Sequence, residues 1–399
     1  MSNRTSSADA PPPADIALLM VATTAATIEA FLLPYAAHFR AFGWHVDAAA
    51  NGATNNQTLA ASFEHVYTLP LSRSILDLSG IVRAARAISA LLGTGPDIVH
   101  VHTPIAAFLT RVAVRRIPCD RRPAVAYTAH GFHFYKGGHT VTNAVFVALE
   151  RLAGRWTDRL VVINDEDEAA AIRHQIVPRP HLVRMPGIGV DTEWYARSSV
   201  DPDDALRVRT EHSIPADAPL FVVVAELSPR KRVGDALAAL ARVQHEDAQL
   251  ILAGDGPLRS RLERLTSELD LRDRVHFLGR VRDVRPIIRA ATAVILPSQR
   301  EGLARSVMEA LALEIPVIAS SARGNRELVG TDAGIIVPTG DIAALASAMD
   351  RLIDRPDAAH AMGLRGRARM VERYDINLLV GMHEALYREM LAERPSRAV

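Results

Sequence analysis

The chain contains a single cysteine, Cys119, which excludes an internal disulfide framework and is typical of a reducing compartment. It also lacks any apolar run of about 18 residues, the length that a membrane-spanning helix needs. The formal net charge is only +1, and basic residues are not interleaved with aromatic ones as they are in nucleic-acid-binding modules. These absences predict a cytoplasmic, globular enzyme or binding protein that does not bind nucleic acid.

One segment near the N-terminus has the composition of a targeting signal. Residues 16–26, IALLMVATTAA, could form a signal-peptide core, but the flank before them is proline-rich and carries one basic residue, Arg4. A buried first β-strand explains this run better. Residues 1–14 are mostly Ser, Ala and Pro, and we predict a disordered tail there.

Short apolar runs alternate with longer segments of helical apolar spacing, a pattern typical of parallel sheets covered by helices on both faces. The predicted strands lie at 16–21, 45–50, 98–102, 124–129 and 160–164 in the first half, and at 220–225, 249–253, 275–278, 293–297, 316–319 and 334–337 in the second. Two such series predict an α/β fold of two doubly wound, Rossmann-like parallel-sheet domains.

The strand rhythm pauses in residues 186–219, which are rich in Gly, Pro, Ser and Asp, so we place the join between the domains there. The predicted N-terminal domain is 15–190 and the predicted C-terminal domain is 191–375. A final helix at 376–399 is expected to cross back to the N-terminal domain. Because ligands of doubly wound sheets bind beyond the C-terminal ends of the strands, the expected site is a cleft that both domains face.

Residues 297–328, PSQREGLARSVMEALALEIPVIASSARGNREL, combine two glutamates with a predicted helix start. Glu301 lies in the loop after a strand, next to Gly302, and Glu309 lies about two turns into the helix. The free N–H groups and the positive dipole at a helix N-terminus favour phosphate, so both carboxylates could address one anionic ligand. Two unrelated exposed glutamates are the alternative. The glycine, the strand that follows and the GNREL stretch favour function.

Two further strand ends in the second half carry candidate ligand groups. Arg230 and Lys231 form a basic cluster in AELSPRKRV, where Arg offers a bidentate fork and Lys a point charge to a diphosphate. Gly254 and Gly256 follow the next strand and allow close approach of a flat ligand such as a base. A solvated basic turn and a simple strand-to-helix turn are the alternatives.

The loop 128–138, TAHGFHFYKGG, is unusual because histidines, aromatic residues, a lysine and glycines fill what could be an ordinary turn. His130 at the strand end could donate a hydrogen bond to a hydroxyl group or a phosphate oxygen, or act as an acid or base. A structural histidine is the alternative. His133 and Lys136 follow in the same loop, and we assign them to the acceptor side of the site.

His100 and His102 lie on one predicted strand and are expected to face opposite sides, with His102 reaching the acceptor side of the site. We expect no metal site, because no cysteine or carboxylate completes a ligand set with them at metal-site spacing. The acidic run at 164–168, NDEDE, is interpreted as a helix cap and first turn.

A basic stretch follows His102 in the first half. It is either a solvated face or a surface that docks on anionic lipid headgroups, at about 1 kcal/mol per basic residue. We take it as the candidate contact with the inner face of the cytoplasmic membrane. Its members are Arg111, Arg115, Arg116, Arg121 and Arg122.

Taken together, these motifs resemble glycosyltransferase family 4, the retaining nucleotide-sugar transferases of GT-B fold, over nearly the whole chain. The most specific segments are EGLARSVMEA with PVIASSARGNREL, the YTAHGFHFYKGG loop, and WTDRLVVINDEDEA at 156–169. The last two resemble the bacterial branch that builds capsular and exopolysaccharide repeat units on a polyprenyl diphosphate carrier.

The resemblance implies a role for each matching position. Glu309 matches the glutamate that binds the nucleotide ribose, and Glu301 matches the one that touches the donor sugar. Lys231 matches the phosphate-binding lysine, and His130 matches the histidine beside the transferred sugar. Gly254 and Gly256 match the turn near the base. The loop and helix start that bind the diphosphate are matched by Gly302, Leu303, Ala304, Arg305 and Ser306.

The chain departs from the family pattern at three places, of which the first two affect phosphate or acceptor contacts and the third is expected to matter little. The arginine that often stands five residues before the lysine is replaced by Glu226, so Arg230 or Arg305 would have to supply the second positive charge. The segment after the first strand, VATTAATIEAF, has none of the usual glycines. Ala304 stands where proline is frequent.

The resemblance implies a retaining, metal-independent transfer of a hexose-type sugar, without a cofactor, from a UDP-linked donor. The acceptor would be a glycan or a polyprenyl-diphosphate-linked sugar in polysaccharide biosynthesis. A UDP-sugar epimerase of similar double fold is one alternative and would convert the donor without an acceptor. A non-catalytic nucleotide-sugar-binding protein would show no turnover. A glycoside hydrolase would use the two carboxylates on a glycan without any nucleotide.

Overall fold

The computed structural model describes residues 15–71, 77–135 and 137–394, which divide into two compact units. The first unit runs to Ile163 and also includes Asp167–Met185 and the residues from Val380 onwards. The second comprises Asn164–Glu166 and Pro186–Leu379. The tail predicted at 1–14 lies outside the described residues.

The first unit is built on a parallel sheet. Its strands in the described ranges are β1 (Ala17–Thr24), β2 (His45–Asn51), β3 (Val66–Thr68), β4 (Ile98–Val101), β5 (Ala124–Ala129), β6 (Arg159–Val162) and β7 (Leu182–Arg184). They lie in the order β3-β2-β1-β4-β5-β6-β7, so the winding direction reverses between β1 and β4. That reversal is where doubly wound sheets bind ligands.

Sequence patterning misses the two edge strands of this sheet, β3 and β7. Each is three residues long and none of their residues is fully buried. A strand that pairs on one side only needs no continuous apolar run, so it leaves no readable signal in the sequence.

The second unit contains a second parallel sheet. Its strands in the described ranges are β8 (Leu220–Val224), β9 (Gln249–Ala253), β10 (Val275–Gly279), β11 (Ala293–Leu296), β12 (Val317–Ser320) and β13 (Gly334–Val337). Their order is β10-β9-β8-β11-β12-β13, with the reversal between β8 and β11. The prediction of two doubly wound parallel-sheet domains is confirmed.

The continuous apolar strands follow from burial on both faces of each sheet. In β8, Leu220 and Val222 pack into one hydrophobic cluster of the second unit, whereas Phe221 and Val223 pack into another. All four side chains are at most 1% exposed. Because successive side chains alternate between faces, a strand covered on both sides needs an apolar residue at every position.

Helices alternate with the strands along the chain. Those before β8 are α1 (Ala25–Phe31), α2 (Leu33–Ala41), α3 (Gln57–Ser62), α4 (Leu78–Leu92), α5 (Pro104–Val114), α6 (Thr140–Gly154), α7 (Asp165–Arg173) and α8 (Pro202–Glu211). Those after it are α9 (Val233–Leu240), α10 (Arg259–Glu268), α11 (Arg285–Arg289), α12 (Arg305–Ala312), α13 (Asn325–Val329), α14 (Ile342–Asp354), α15 (Pro356–Arg369) and α16 (Ile376–Ala392). None of the helices among the described residues has the length and apolar character to cross a membrane.

The C-terminal part of α16, from Val380 onwards, is part of the first unit. The Tyr387 hydroxyl hydrogen-bonds to Nδ1 of His100 on β4. Arg159 on β6 donates from Nη2 to Glu389 at 2.9 Å and to Glu393 at 2.6 Å. The last helix therefore contributes side chains to the interior and to the edge of the first sheet.

The assignment of Arg111 to a membrane-facing basic surface is wrong. Its side chain on α5 is 0% exposed and donates from Nη2 to Glu150 on α6 at 2.8 Å. The guanidinium carbon lies 4.3 Å from the ring centroid of Tyr127, whose hydroxyl also donates to Glu150. Arg111 is thus one member of a buried ion pair, although Arg115, Arg116 and Arg121 in the same stretch are exposed.

We expect the substitution Arg111→Met to lower the free energy of unfolding by about 3–5 kcal/mol, because Glu150 is left buried without its counter-charge. The double variant Arg111→Met/Glu150→Leu should regain most of that loss. The matched substitution Arg115→Met, at an exposed position, should change stability by less than about 0.5 kcal/mol. Urea denaturation of the three variants checks this. Equal midpoints for Arg111→Met and Arg115→Met would contradict it.

Candidate functional site

Two loops meet at the C-terminal ends of β8 and β11, the strands between which the second sheet reverses. The backbone N–H of Gln299 donates to the carbonyl of Arg230 at 2.9 Å. Lys231 donates from Nζ to Oε1 of Glu301 at 2.6 Å, and the two side chains are 14% and 7% exposed. The predicted phosphate-binding lysine and the first predicted glutamate are therefore a largely buried ion pair at the expected ligand position of this sheet.

The segment that follows β12 packs closely against the backbone of the loop that carries Glu301. A Cβ atom at Gly324 would lie 1.6 Å from the carbonyl oxygen of Gly302, and Gly324 has φ +78°. Only glycine fits this position. Arg323, next to it, donates from Nε to the carbonyl of Glu301 at 3.3 Å. The ARGN sequence after β12 thus fixes the backbone on which Glu301 lies.

Glu309 lies in α12 and is 5% exposed. Its Oε1 accepts hydrogen bonds from the Tyr195 hydroxyl and from Nε of Arg305, both at 2.7 Å. Burial raises the pKa of Glu309, while Arg305 and the Tyr195 hydroxyl oppose that rise. A carboxylate held in this way is oriented before any ligand arrives and retains a second oxygen to accept hydrogen bonds.

The remaining predicted donor-binding residues surround the start of α12. The helix begins at Arg305, with Ala304 at the N-cap, so Gly302 and Leu303 precede it and Ser306 lies in its first turn. The first N–H groups of any helix have no intrahelical acceptor and can therefore bind an anion. Glu226, at the position where the family often has arginine, is exposed.

The turn after β9 has a packing reason for its glycines. A Cβ at Gly254 would lie 1.8 Å from the carbonyl oxygen of Ala225, and one at Gly256 would lie 2.6 Å from that of Leu227. Backbone hydrogen bonds, including one from Leu227 N–H to the carbonyl of Asp255 at 3.0 Å, join the two loops. The glycines thus let the loops after β8 and β9 pack together, and their contact with a base stays a prediction.

Tyr195 and Arg323 contact the candidate site residues Glu309 and Glu301, and sequence reasoning missed both. Tyr195 belongs to the stretch of chain between β7 and β8, 114 positions before Glu309. The available signal was the adjacent aromatic pair Trp194 and Tyr195 in a stretch otherwise rich in Gly, Asp and Ser. Arg285 packs on the Trp194 ring, 3.4 Å from its centroid, which further fixes this segment.

We expect Tyr195→Phe to raise the donor KM about 3- to 10-fold with little change in kcat, because Glu309 loses one orienting hydrogen bond worth about 1 kcal/mol. Tyr67→Phe, which removes a tyrosine hydroxyl from β3 of the first unit, is the matched control and should leave KM unchanged. Steady-state kinetics with varied donor measure both. Unaltered KM in Tyr195→Phe would mean that the Glu309 carboxylate is oriented without it.

In the first unit, His130 and His102 lie just beyond β5 and β4, close to the reversal of that sheet. Their rings stack with centroids 5.5 Å apart, and Nδ1 of His102 lies 3.3 Å from Nε2 of His130. The ring of Phe31, at the end of α1, also stacks on His130, with centroids 6.0 Å apart. The glycine-free segment after β1 leads directly into α1 at Ala25.

His100 and His102 face the same side of the sheet, so the expectation of opposite sides is wrong. Their ring centroids are 4.0 Å apart, because residues two apart on a strand share a face. Burial holds the pKa of both rings well below the usual range, and burial together with His383 lowers the pKa of His130 to about 4. These rings are therefore neutral at pH 7 and act as hydrogen-bond donors or acceptors without charge.

The rest of the loop after β5 rests on α6. Asn143 donates from Nδ2 to the carbonyl of Tyr135 at 2.9 Å, and the exposed His133 ring lies 5.2 Å from that of Phe146. Lys136 lies outside the described residues. His102 and His130 are thus brought together, whereas His133 faces solvent.

The two units present different chemistry. The second offers a cation, a helix N-terminus and an oriented carboxylate, which suit a nucleoside diphosphate. The first offers neutral imidazoles suited to hydroxyl groups. In the part of the chain that the structure describes, no group of three or more His, Cys, Asp or Glu side chains is placed to hold a metal ion.

Family models match both halves of the chain. Residues 205–369 match the family described as Glycosyl transferases group 1, and residues 27–187 match the Glycosyl transferase 4-like domain. Among solved structures, Anabaena HepE in complex with UDP and glucose superposes with a TM-score of 0.79 at 19% identity, covering 94% of this chain and 100% of HepE. That likeness shows the fold.

Two curated relatives are similar over most of their length. EpsD of Bacillus subtilis (strain 168), described as a glycosyltransferase, is 33% identical over 88% of this chain and 91% of its own. The Escherichia coli UDP-Gal:alpha-D-GlcNAc-diphosphoundecaprenol alpha-1,3-galactosyltransferase is 28% identical over 75% of this chain and 76% of its own. The chain therefore belongs to the family 4 glycosyltransferases of GT-B fold, in the branch that resembles the exopolysaccharide enzymes.

Proposed function

We propose that this glycosyltransferase moves a hexose from a UDP-linked donor to a glycan or polyprenyl-diphosphate-linked acceptor in polysaccharide biosynthesis, with retention and without a metal. The observation that carries the proposal is the set of groups on the segments after β8 and β11 of the second unit: the Lys231–Glu301 ion pair, the start of α12, and the Glu309 carboxylate oriented by Tyr195. The E. coli relative, named for a UDP-Gal donor and a diphosphoundecaprenol acceptor, supports the substrate classes.

The donor contacts follow from the charges of this constellation. Glu309 accepts hydrogen bonds from the ribose hydroxyls, and the N–H groups of Gly302 to Ser306 bind the diphosphate. Lys231 supplies a positive charge to the leaving diphosphate, with Arg305 or Arg230 as the second cation in place of the arginine that Glu226 replaces. With charge stabilisation from these groups, the reaction needs no metal at the diphosphate.

The ion pair of Glu301 favours a front-face route to retention over a covalent intermediate. A carboxylate 2.6 Å from an ammonium group is a weak nucleophile, which disfavours a covalent intermediate on Glu301. In the front-face alternative, the bond from the anomeric carbon to the phosphate oxygen breaks while the acceptor oxygen bonds to the same face. The acceptor proton passes to the leaving phosphate oxygen. Glu301 and the neutral His130 then act as contacts to the transferred sugar.

A transfer assay tests the proposal directly. Labelled UDP-sugars are incubated with a polyprenyl-diphosphate-linked acceptor, in the presence and absence of EDTA, and the anomeric configuration of the product is read by NMR. Transfer that is unaffected by EDTA, with the donor configuration kept, is expected. Conversion of the donor without an acceptor would indicate an epimerase, and an inverted product would overturn retention. A thermal-shift screen of nucleotides identifies the base, because ligands that bind the folded state stabilise it.

A further inference from the structure

Helix α6 exposes a continuous apolar face. Val141, Val145, Leu149 and Leu152 are 66%, 52%, 37% and 41% exposed, and Ala144 and Ala148 between them are also exposed. Their spacing of three and four places all six on one side of the helix. Scattered exposed apolar residues are ordinary, but a contiguous stripe of three helical turns marks an interaction surface.

The opposite side of α6 packs inside the first unit. The exposed stripe is therefore a separate face of the helix and not the face that contributes to the core. Glu150 is buried in the ion pair with Arg111, and Gly154 lies against the segment after α7, where an added Cβ would be 1.9 Å from the carbonyl oxygen of Ile176. Glu150 is the one carboxylate of α6. The exposed side of the helix therefore carries no negative charge.

A basic groove adjoins the C-terminal end of the stripe. It has a volume of about 910 Å³ and lies between α6 and the segment from α7 to β7. Ala148 and Leu152 of the stripe line it, together with Arg151, Arg155 and Arg179, and no Asp or Glu is among its lining residues. Arg115 is also at this end, 5.6 Å from the ring of Trp156.

We propose that the α6 stripe and its arginine groove dock this protein on an anionic lipid bilayer. An apolar helix face with arginines at one end suits the boundary between acyl chains and headgroups, where the arginines meet lipid phosphates. A second copy of the chain fits less well. A two-fold pair would bring the same stripe, arginines and positive helix end together without any carboxylate to match them.

This inference deepens the proposed function, since it rests on an acceptor that is lipid-linked, and it moves the centre of the membrane contact from the basic stretch Arg111–Arg122 to α6. Asn143 and Phe146 of the same helix contact the loop of residues 128–138. The helix that meets the bilayer thereby also positions the acceptor-side loop that carries His130.

Flotation of the full chain with vesicles tests the proposal. The protein should float with phosphatidylglycerol-containing vesicles and bind at least about 10-fold more weakly to pure phosphatidylcholine. Val145→Ser/Leu149→Ser should weaken binding about 10-fold or more, and Arg151→Ser/Arg155→Ser about 5-fold per arginine. Leu206→Ser/Leu364→Ser removes two similarly exposed leucines from the second unit and should bind like wild type.

Two results would overturn the proposal: wild-type protein that does not float with anionic vesicles, or a stripe variant that floats like wild type. A dimer in analytical ultracentrifugation that Val145→Ser/Leu149→Ser makes monomeric, without vesicle binding by wild type, would assign the face to a second copy instead. Transfer to a short water-soluble acceptor should be unchanged in the stripe variant. Failure of that transfer in wild type would count against the proposed function and leave the vesicle result standing.

Discussion

Glu309→Ala is expected to lower kcat/KM for the donor by about 10²–10⁴, while the protein stays folded. The carboxylate would bind two ribose hydroxyls, and hydrogen bonds to a charged group are worth about 1.5–3 kcal/mol each. Before donor binding it is already fixed by the Tyr195 hydroxyl and by Arg305. Removing it leaves that hydroxyl without its acceptor, a loss of about 1–3 kcal/mol that a unit of this size tolerates.

A second variant, Glu309→Gln, tests whether donor turnover needs the negative charge of Glu309 or only a side chain of the same shape. Glu309→Gln keeps an oxygen that can accept from Tyr195, so we expect about a tenth to a hundredth of wild-type activity. Glu268→Ala, at an exposed position of α10, is the control and should behave like wild type. Circular dichroism and UDP titration accompany the kinetics. Full activity in Glu309→Ala would remove this residue from the donor site.

The fold could be predicted because each strand buried on both faces must be apolar at every position. The runs of β8 and β11 follow this rule throughout. The edge strands β3 and β7 escape it, because they pair on one side and expose part of every residue. Apolar runs therefore predict the interior strands of both sheets, whereas the short, part-exposed edge strands of the first sheet leave no such run.

Candidate site residues at strand ends could be proposed from the sequence, whereas their partners in distant segments could not. Glu301 and Lys231 were each predicted as candidates, but their ion pair joins residues 70 positions apart. Nothing local distinguishes a lysine bound by a glutamate from a lysine free for phosphate. Arg111 shows the same limit, since its basic neighbours suggested a surface and only Glu150, 39 positions away, explains its burial.

Lys231→Met is expected to lower kcat by about 10²–10³, the usual cost of removing one group that stabilises charge in the transition state. The substitution also strands Glu301, which is 6% exposed, so lost activity alone would be ambiguous. Lys231→Met/Glu301→Gln removes the stranded charge. Because Glu301 is itself a proposed sugar contact, Glu301→Gln alone is the reference. If Lys231 only neutralised Glu301, the double variant would match that reference. If Lys231 acts on the diphosphate, the double variant stays about 10²–10³ below the reference, and Lys231→Arg, which keeps the charge, recovers part of the wild-type activity.

The composition of the chain allows the proposed contact between Lys231 and the donor diphosphate to be tested without any substitution. Arginine supplies nearly all of its positive side chains, and the only lysines are Lys136 and Lys231. Amine-reactive labelling followed by peptide mass spectrometry therefore reports on two side chains and the N-terminus alone. Lys231, held 2.6 Å from Glu301, should label slowly and be protected further by UDP, with the N-terminal amine as the internal reference. Because a diphosphate that binds Lys231 must shield its amine, labelling at Lys231 that UDP leaves unchanged would contradict its role.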